Sequence, residues 1–473
     1  MLSRRESEDI DTLSPGAWAT VREALRGSHG DYTDGPVGRA VLLLAIPMVL
    51  ELILESVFAL VDVFFVSRLG ADSIATVGLT ESMLSIMYAV IIGLCAGVTA
   101  VVARRIGEGD ADAAAGAAVQ AIVLGFAIAV PVGIAGVRLA PRMLALMGGS
   151  AGIVAHASYT RVVFGFNVVI LMLFLLNAVF RGVGDATVAM RVLWIANAIN
   201  IALDPCFIFS LGPFPRLGVT GAAVATTTGR SVGVLVQTLL LWRGTNRIRI
   251  RRRHLRIQPA VMWTMVRLSG SGVVQSLIAT ASWLVLVRTI ASFGSAAVAG
   301  YTIAIRIVIF ALLPAWGLAN AAATLVGQNL GARQPDRAES SVWQACRYCV
   351  GVFAAMTVFF LVSAEPLVAA FTSDPAVRTI ATRGLRIATA GFVAYALGLV
   401  VSSAFNGAGD MWTPMLINIV SFWVCGVALA ELLTRSAGLG PSAVFAAIAS
   451  GFVMMAISAT VLFRRGTWKA RRV

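Results

Sequence analysis

About twelve apolar runs, each long enough to cross a bilayer as a helix, divide this chain and leave few folds open to it. They fall at 41–66, 76–102, 114–137, 153–179, 187–210 and 218–242, then at 262–291, 298–327, 341–363, 379–405, 411–434 and 442–463. A continuous run of ~20 apolar residues matches a transmembrane helix, whereas a barrel strand alternates over ~10 residues. In lipid each backbone polar group must be bonded within its own segment, which leaves helices as the spanning form. Hydrophobic residues make up 58% of the 473 and charged residues only 13%, the balance of a polytopic membrane protein. The fold class expected is an all-α integral membrane protein of about twelve transmembrane helices.

The two halves of the chain also repeat one another. Ser67-Arg68-Leu69-Gly70 returns as Ala291-Ser292-Phe293-Gly294, and Ile106-Gly107 as Leu330-Gly331, each 224 residues later. Phe180-Arg181-Gly182-Val183-Gly184-Asp185 returns as Phe405-Asn406-Gly407-Ala408-Gly409-Asp410, 225 residues later. A near-constant offset across three loops predicts two pseudo-symmetric six-helix lobes, and the cleft between such lobes is where transporters keep their substrate. The expected divisions are a cytoplasmic N-terminal tail at 1–36, an N-lobe at 37–243 and a basic cytoplasmic linker at 244–260. A C-lobe at 261–463 and a basic C-terminal tail at 464–473 complete the chain. Residues 1–35 are polar and mixed in charge and are expected to be disordered, with no cleavable signal pattern.

The net charge of +14 is almost all arginine, Lys469 being the single lysine. Arginines cluster before the first span, at Arg104-Arg105, at Arg333 and Arg337, through 243–256, and after the last span. An even number of helices puts all of these on one side, which the positive-inside rule makes cytoplasmic. Both termini are then cytoplasmic in a multi-pass protein of a bacterial inner (plasma) membrane. Arg138, Arg142, Arg216, Arg378 and Arg435 fall on the other side. The run Arg247–Arg256 reads as a linker that also touches anionic lipid, not as a nucleic-acid patch. Cys346-x-x-Cys349 lies at the start of a span with no second pair, and the three histidines are scattered, so packing is expected and no transition-metal site. A lone tail lysine excludes a Walker A loop. Any pumping must draw on an ion gradient or a partner ATPase, and no catalytic constellation points to an enzyme.

Carboxylates inside spans are costly and therefore informative. Glu51, Glu55 and Asp62 fall within a ~40° stripe of the first span at 100° per residue. Asn200 and Asp204 lie one turn apart in the fifth span, and Thr226 lies one turn beyond Ala222 in the sixth. Hard oxygen donors of this kind could bind Na⁺, or two neighbouring carboxylates could share a proton. The plain alternative is that each polar group satisfies a neighbouring helix. Pro47 interrupts the first span and is read as a hinge, a static kink being the other reading. Glu81, Arg288 and Arg306 suggest only interhelical pairing or an interface position.

Several motifs resemble one family. Thr324-Leu325-Val326-Gly327-Gln328-Asn329-Leu330-Gly331-Ala332, following a helix with Pro314, is similar to the Val-Gly-Gln-Asn-Leu-Gly signature of multidrug and toxic compound extrusion (MATE) transporters. Leu60-Val61-Asp62 leading to Gly70, Phe180–Asp185, Asn200–Pro205 and Gly218–Thr226 resemble its other motifs in order and spacing over about 37–463. The resemblance implies two six-helix lobes and export of organic cations, drugs or other amphipathic compounds in exchange for H⁺ or Na⁺. It implies a cation or proton site at Asp62, Asn200, Asp204, Thr226 and the carbonyl of Ala222, and a bending proline at Pro47. The family's seventh-helix Glu and tenth-helix Asp are replaced by Ala279 and Tyr395, which points to coupling in the N-lobe and to the DNA-damage-inducible branch. Glu55 is the pseudo-symmetric counterpart of that missing Glu and is expected to contact a cationic substrate or relay a proton to Asp62. Glu51 and Asn177 are grouped with it. No cofactor beyond the coupling ion is expected; the partners are membrane lipid and a small amphipathic, cationic substrate, and the chain is read as a monomer. Two rivals share parts of this pattern. A lipid-intermediate flippase would want a cationic cavity where this stripe is acidic. A major-facilitator carrier would want a loop motif that Arg104-Arg105-Ile106-Gly107-Glu108 only faintly echoes.

Overall fold

The computed structural model describes residues 17–27, 32–245, 247–436 and 440–471. Its first half comprises α1 (Ala17–Arg26), α2 (Val37–Ser67), α3 (Ala71–Gly107), α4 (Ala111–Leu146), α5 (Ala151–Ala155), α6 (Ala157–Gly165), α7 (Asn167–Val183), α8 (Ala186–Phe209) and α9 (Val219–Arg243). The second half comprises α10 (Pro259–Ala291), α11 (Ser295–Gly331), α12 (Pro335–Ala369), α13 (Pro375–Ala390), α14 (Phe392–Gly407), α15 (Trp412–Asn418), α16 (Leu429–Ser436) and α17 (Ser442–Arg464). A π-helical stretch, Ile419–Ala428, joins α15 to α16.

Among the described residues nine helical segments are long and apolar enough to cross a membrane, or eleven with two bent pairs each counted as one span. The twelfth expected span, α9, is 25 residues long but falls short on apolarity. It carries the polar residues Thr226, Thr227, Thr228, Arg230 and Gln237, and Thr226, Arg230 and Gln237 belong to the site below. Helices also outrun their apolar runs: α3 covers 71–107 where hydropathy alone marks 76–102. A helix does not end where lipid does, and polar residues continue it into the headgroup layer.

The sequence repeat returns as geometry. α6–α7 bends by 43° and α13–α14 by 50°, each being the fourth span of its half. Gly70 and Gly294, at matching places before α3 and α11, have φ of 98° and 93°. That backbone conformation is costly for any residue with a Cβ, so the tight turn between consecutive spans falls on glycine in both halves.

Two hydrophobic cores form, one per half, with an exchange between them. Val41, Leu44 and Met48, at the start of α2, join the core of the second half, while Met265 of α10 joins that of the first. The boundary at residue 37 is therefore a boundary of helices and not of packing. The lobes meet at the end of the bundle that carries the arginine-rich loops, here called the basic end. A Cβ on Gly107 would overlap the Gln328 carbonyl, and one on Gly331 the Arg104 carbonyl. Farther along, Gly93 and Gly272 allow α3 and α10 to cross backbone to backbone, and Gly317 lies against Val49. Beyond these crossings, toward the opposite end, α2 exposes Ile53, Val57, Leu60, Val63 and Phe64. The close backbone approaches between the lobes thus run from the basic end to the crossing at Gly93 and Gly272.

The N-terminal tail departs from expectation, and both tails dock on the bundle among the described residues. Residues 17–26 form the amphipathic helix α1 and not a disordered segment; residues 1–16 and 28–31 lie outside the described part. Thr187 and Arg191 donate to the Ala24 and Leu25 carbonyls at 2.9 and 2.6 Å, and Arg39 pairs with Glu23 at 2.6 Å. Trp468, fully buried, stacks on Phe463 at 4.7 Å, and Lys469 pairs with Asp336 and Glu339 at 3.0 and 2.6 Å. Arg471 pairs with Asp410 at 3.5 Å while its carbonyl accepts from Arg104, so the C-terminal segment ties the lobes together at the basic end. The linker is held likewise: Gln120 donates to the Arg256 carbonyl at 2.9 Å, and Asp112 meets Arg253 and His254.

Candidate functional site

Four helices of the first lobe carry polar residues at helical spacing. α2 has Glu51, Glu55 and Asp62; α7 has Asn177 and Arg181; α8 has Asn197, Asn200 and Asp204; α9 has Thr226, Arg230 and Gln237. Positions three, four or seven apart share a face. α8 packs on α2 and α9, and α7 on α8 and α9, so these faces converge inside the lobe.

The cluster is layered. Nearest the basic end, Glu51 is 3% exposed and its Oε1 accepts from Asn177 Nδ2 at 3.1 Å and Arg181 Nη1 at 3.0 Å. Gln237 donates to Asn177 Oδ1 behind them. One turn along α2, Glu55 accepts from Arg230 Nη2 at 3.0 Å and Asn197 Nδ2 at 3.3 Å. Tyr88 lies close enough to act on Arg230, and the Phe58 ring lies 5.8 Å from its guanidinium. Next, Asn200 Nδ2 donates to Thr226 Oγ1 at 2.9 Å.

Asp62 and Asp204 stand apart from this pairing. Both are buried, Asp204 completely. Asp62 Oδ1, both Asp204 carboxylate oxygens and Asn200 Oδ1 have no hydrogen-bond partner among the described residues. Asp62 is close enough for its charge to act on Asp204, and both Glu81 and Arg230 act on Asp62. A buried carboxylate left unpaired costs several kcal/mol unless a cation or a proton offsets it. Asp62, Asn200 and Asp204 thus leave four hard oxygens unpartnered, the donor type that suits Na⁺, and carboxylates within each other's reach would equally suit a shared proton. No group of three or more His, Cys, Asp or Glu that could hold a metal occurs among the described residues.

Several expectations meet a different arrangement. The sequence reading gives Glu51, Glu55 and Asn177 to substrate contact or a proton relay; here all three are engaged in the ion-pair network with Arg181 and Arg230. The stripe on α2 is consequently acidic in sequence but largely offset in space, which weakens the argument against an anionic cargo. Ala222 is buried inside the unbroken helix α9, so its carbonyl would offer a cation only a second lone pair. Pro47 is buried in α2, which runs as one helix from Val37 to Ser67. Tyr395 accepts from Trp316 Nε1 at 2.8 Å, and its ring lies 4.6 Å from Phe452. The C-lobe carboxylates Asp336, Glu339, Glu365, Asp374, Asp410 and Glu431 lie at or near helix ends. Cys346 and Cys349 are buried in the C-lobe core as free thiols.

Sequence reasoning passed over Arg230, Arg181, Asn197, Gln237 and Tyr88. Arg230 was discoverable by the rule that singled out the carboxylates, being a charge one turn from Thr226 inside a span. Glu81 takes an exposed position on α3, close enough for its charge to act on Asp62, and forms no ion pair among the described residues.

The MatE family profile matches the chain twice, over residues 47–206 and 273–432, one copy in each lobe. The chain belongs to the MatE family. It is a secondary transporter built on the two-lobed MATE architecture. A probable multidrug resistance protein NorM of Thermotoga maritima is 23% identical over 92% of this chain and 94% of its own length. The FAD transporter of Shewanella oneidensis is 24% identical, covering 86% of this chain and 90% of itself. A multidrug resistance MATE family transporter of the MOP superfamily, solved in an outward-facing conformation, superposes with a TM-score of 0.86. It is 26% identical, over 92% of this chain and 96% of that one. Other relatives also carry the NorM name, so the names favour that type and not the DNA-damage-inducible branch in particular.

Proposed function

We propose that this MATE transporter is an antiporter that exports a small amphipathic cation in exchange for H⁺ or Na⁺ taken up at Asp62 and Asp204. One observation carries the reading: these buried carboxylates of the first lobe form no ion pair with an arginine among the described residues, while Glu51 and Glu55 each form one. A cation or proton entering there neutralises the lobe and weakens its hold on a cationic cargo, which leaves before the lobes rock. H⁺ or Na⁺ is taken up and cargo released while the lobes are open to the outside. Pro47 then acts as the bend in α2 that couples Asp62 to the closing of the lobes. The membrane is the bacterial inner membrane, and the working unit is one chain. The absence of acids at Ala279 and Tyr395 keeps coupling in the first lobe, the pattern of the DNA-damage-inducible branch.

A second reading, an anionic cargo, is favoured by Arg181 and Arg230 within the same cluster and by the flavin cargo of the Shewanella relative. Uptake into proteoliposomes under an imposed pH or Na⁺ gradient separates the two. Ethidium accumulation against the gradient, with no flavin nucleotide transport, is the expected result. Flavin transport without ethidium transport would exchange the first reading for the second.

A further inference from the structure

On the outer side of the second lobe, at the end opposite the basic loops, a cavity of about 810 Å³ opens between α12, α13 and α17. α13 forms its floor through Arg378, Thr382, Arg383 and Arg386, with Glu365 of α12 and Ala446 of α17 at its sides. α13 packs on α11, α12, α14 and α17, all of the second lobe, so the cavity is separate from the polar cluster of the first.

Its charge is unbalanced. Arg378 pairs with Glu365 at 2.9 Å. Arg383 and Arg386 are exposed, and neither guanidinium takes part in an ion pair or hydrogen bond among the described residues. Thr382 also lines the cavity and is 8% exposed. Three guanidinium groups against one carboxylate leave two positive charges facing the same space.

Toward the middle of the bundle the walls turn apolar. On α12, Val362 and Val358 continue the face of Glu365 and are 75% and 63% exposed. On α17, Val453 and Ile457 continue the face of Ala449 and are 44% and 53% exposed. Aliphatic side chains left open at this depth face acyl chains. Arg383 and Arg386 lie about 12 and 17 Å along α13 by the helical rise of ~1.5 Å per residue. The bent pair α13–α14 is longer than the ~30 Å hydrocarbon core, so its first turns reach the headgroup layer.

We propose that this cavity is a binding site for an anionic phospholipid of the leaflet at the end opposite the basic loops. The phosphate sits between Arg383 and Arg386, and the acyl chains lie along Val362 and Val453. Guanidinium groups suit phosphate because they donate two parallel hydrogen bonds, and an apolar groove below them selects a lipid over a soluble anion.

Native mass spectrometry of the full chain, released from detergent after incubation with equal phosphatidylglycerol and phosphatidylcholine, tests this. Wild type is expected to retain one phosphatidylglycerol in preference to phosphatidylcholine. Arg383→Gln/Arg386→Gln should lower that retention roughly tenfold or more and abolish the preference, while Arg465→Gln at the basic end leaves it unchanged. Ala446→Phe, which fills the cavity without removing a charge, should give the same loss and guards against a folding defect in the double variant. Equal retention of the two lipids by wild type, unchanged retention in both cavity variants, or glycerol 3-phosphate binding as firmly as the lipid would each overturn the proposal.

Discussion

Asp204→Asn is expected to abolish gradient-driven accumulation of a cationic dye in proteoliposomes while leaving a folded, monodisperse protein. The substitution is isosteric and deletes a charge, and both of the oxygens it touches lack a partner. Removing a buried charge that no arginine offsets is neutral or stabilising for the fold, so the melting temperature should hold or rise. A structural role predicts the reverse, lost stability with residual coupled transport. Asp62→Asn should behave alike, since Asp62 lies within electrostatic reach of Asp204 and also has an unpartnered buried oxygen. If each aspartate acted alone, either single variant would keep part of the coupled transport; a shared ion predicts that each loses nearly all of it.

Arg230→Ala is expected to have the largest effect on stability. Its guanidinium is 7% exposed and meets Glu55, 26% exposed, at 3.0 Å. Removing one partner of a buried ion pair costs about 3–5 kcal/mol because the other charge is left behind, and the partial exposure of Glu55 draws this toward the lower figure. The double variant Arg230→Ala/Glu55→Gln should recover most of that loss, and thermal unfolding of wild type, both single variants and the double variant in detergent gives the coupling. Additive losses would show that Arg230 works through packing on Phe58 instead. Since the Arg230 charge also acts on Asp62, its removal should tighten Na⁺ binding at the site wherever the protein remains folded.

The sequence carried the architecture because bilayer physics is one-dimensional. Run lengths gave the spans, and constant loop spacing gave the two lobes. The spacing of Glu51, Glu55 and Asp62 likewise placed all three on one side of α2. What could not be read was which distant residue answers each carboxylate. Glu51 meets Arg181, 130 residues away, only because α7 leaves the bend at Phe166 with that arginine turned inward. Glu55 meets Arg230 because α9 returns antiparallel beside α8, their backbones close at Gly229 and Ala196. Helix periodicity fixes a face but says nothing about the neighbour it finds. The α1 helix and the Trp468 anchor were missed for a related reason. Short segments of mixed polarity gain their order from the surface they dock on, and that surface did not exist until the spans were assembled.

The most direct measurement of the central claim is the dissociation constant of a cationic substrate for the purified transporter, titrated against Na⁺ and against pH. If Asp62 and Asp204 form one compartment that an ion and the cargo cannot both neutralise, wild type should bind the substrate progressively more weakly as Na⁺ rises or pH falls. Asp62→Asn and Asp204→Asn should then show flat profiles. A wild type insensitive to both ions, or variants that keep its slope, would contradict the account.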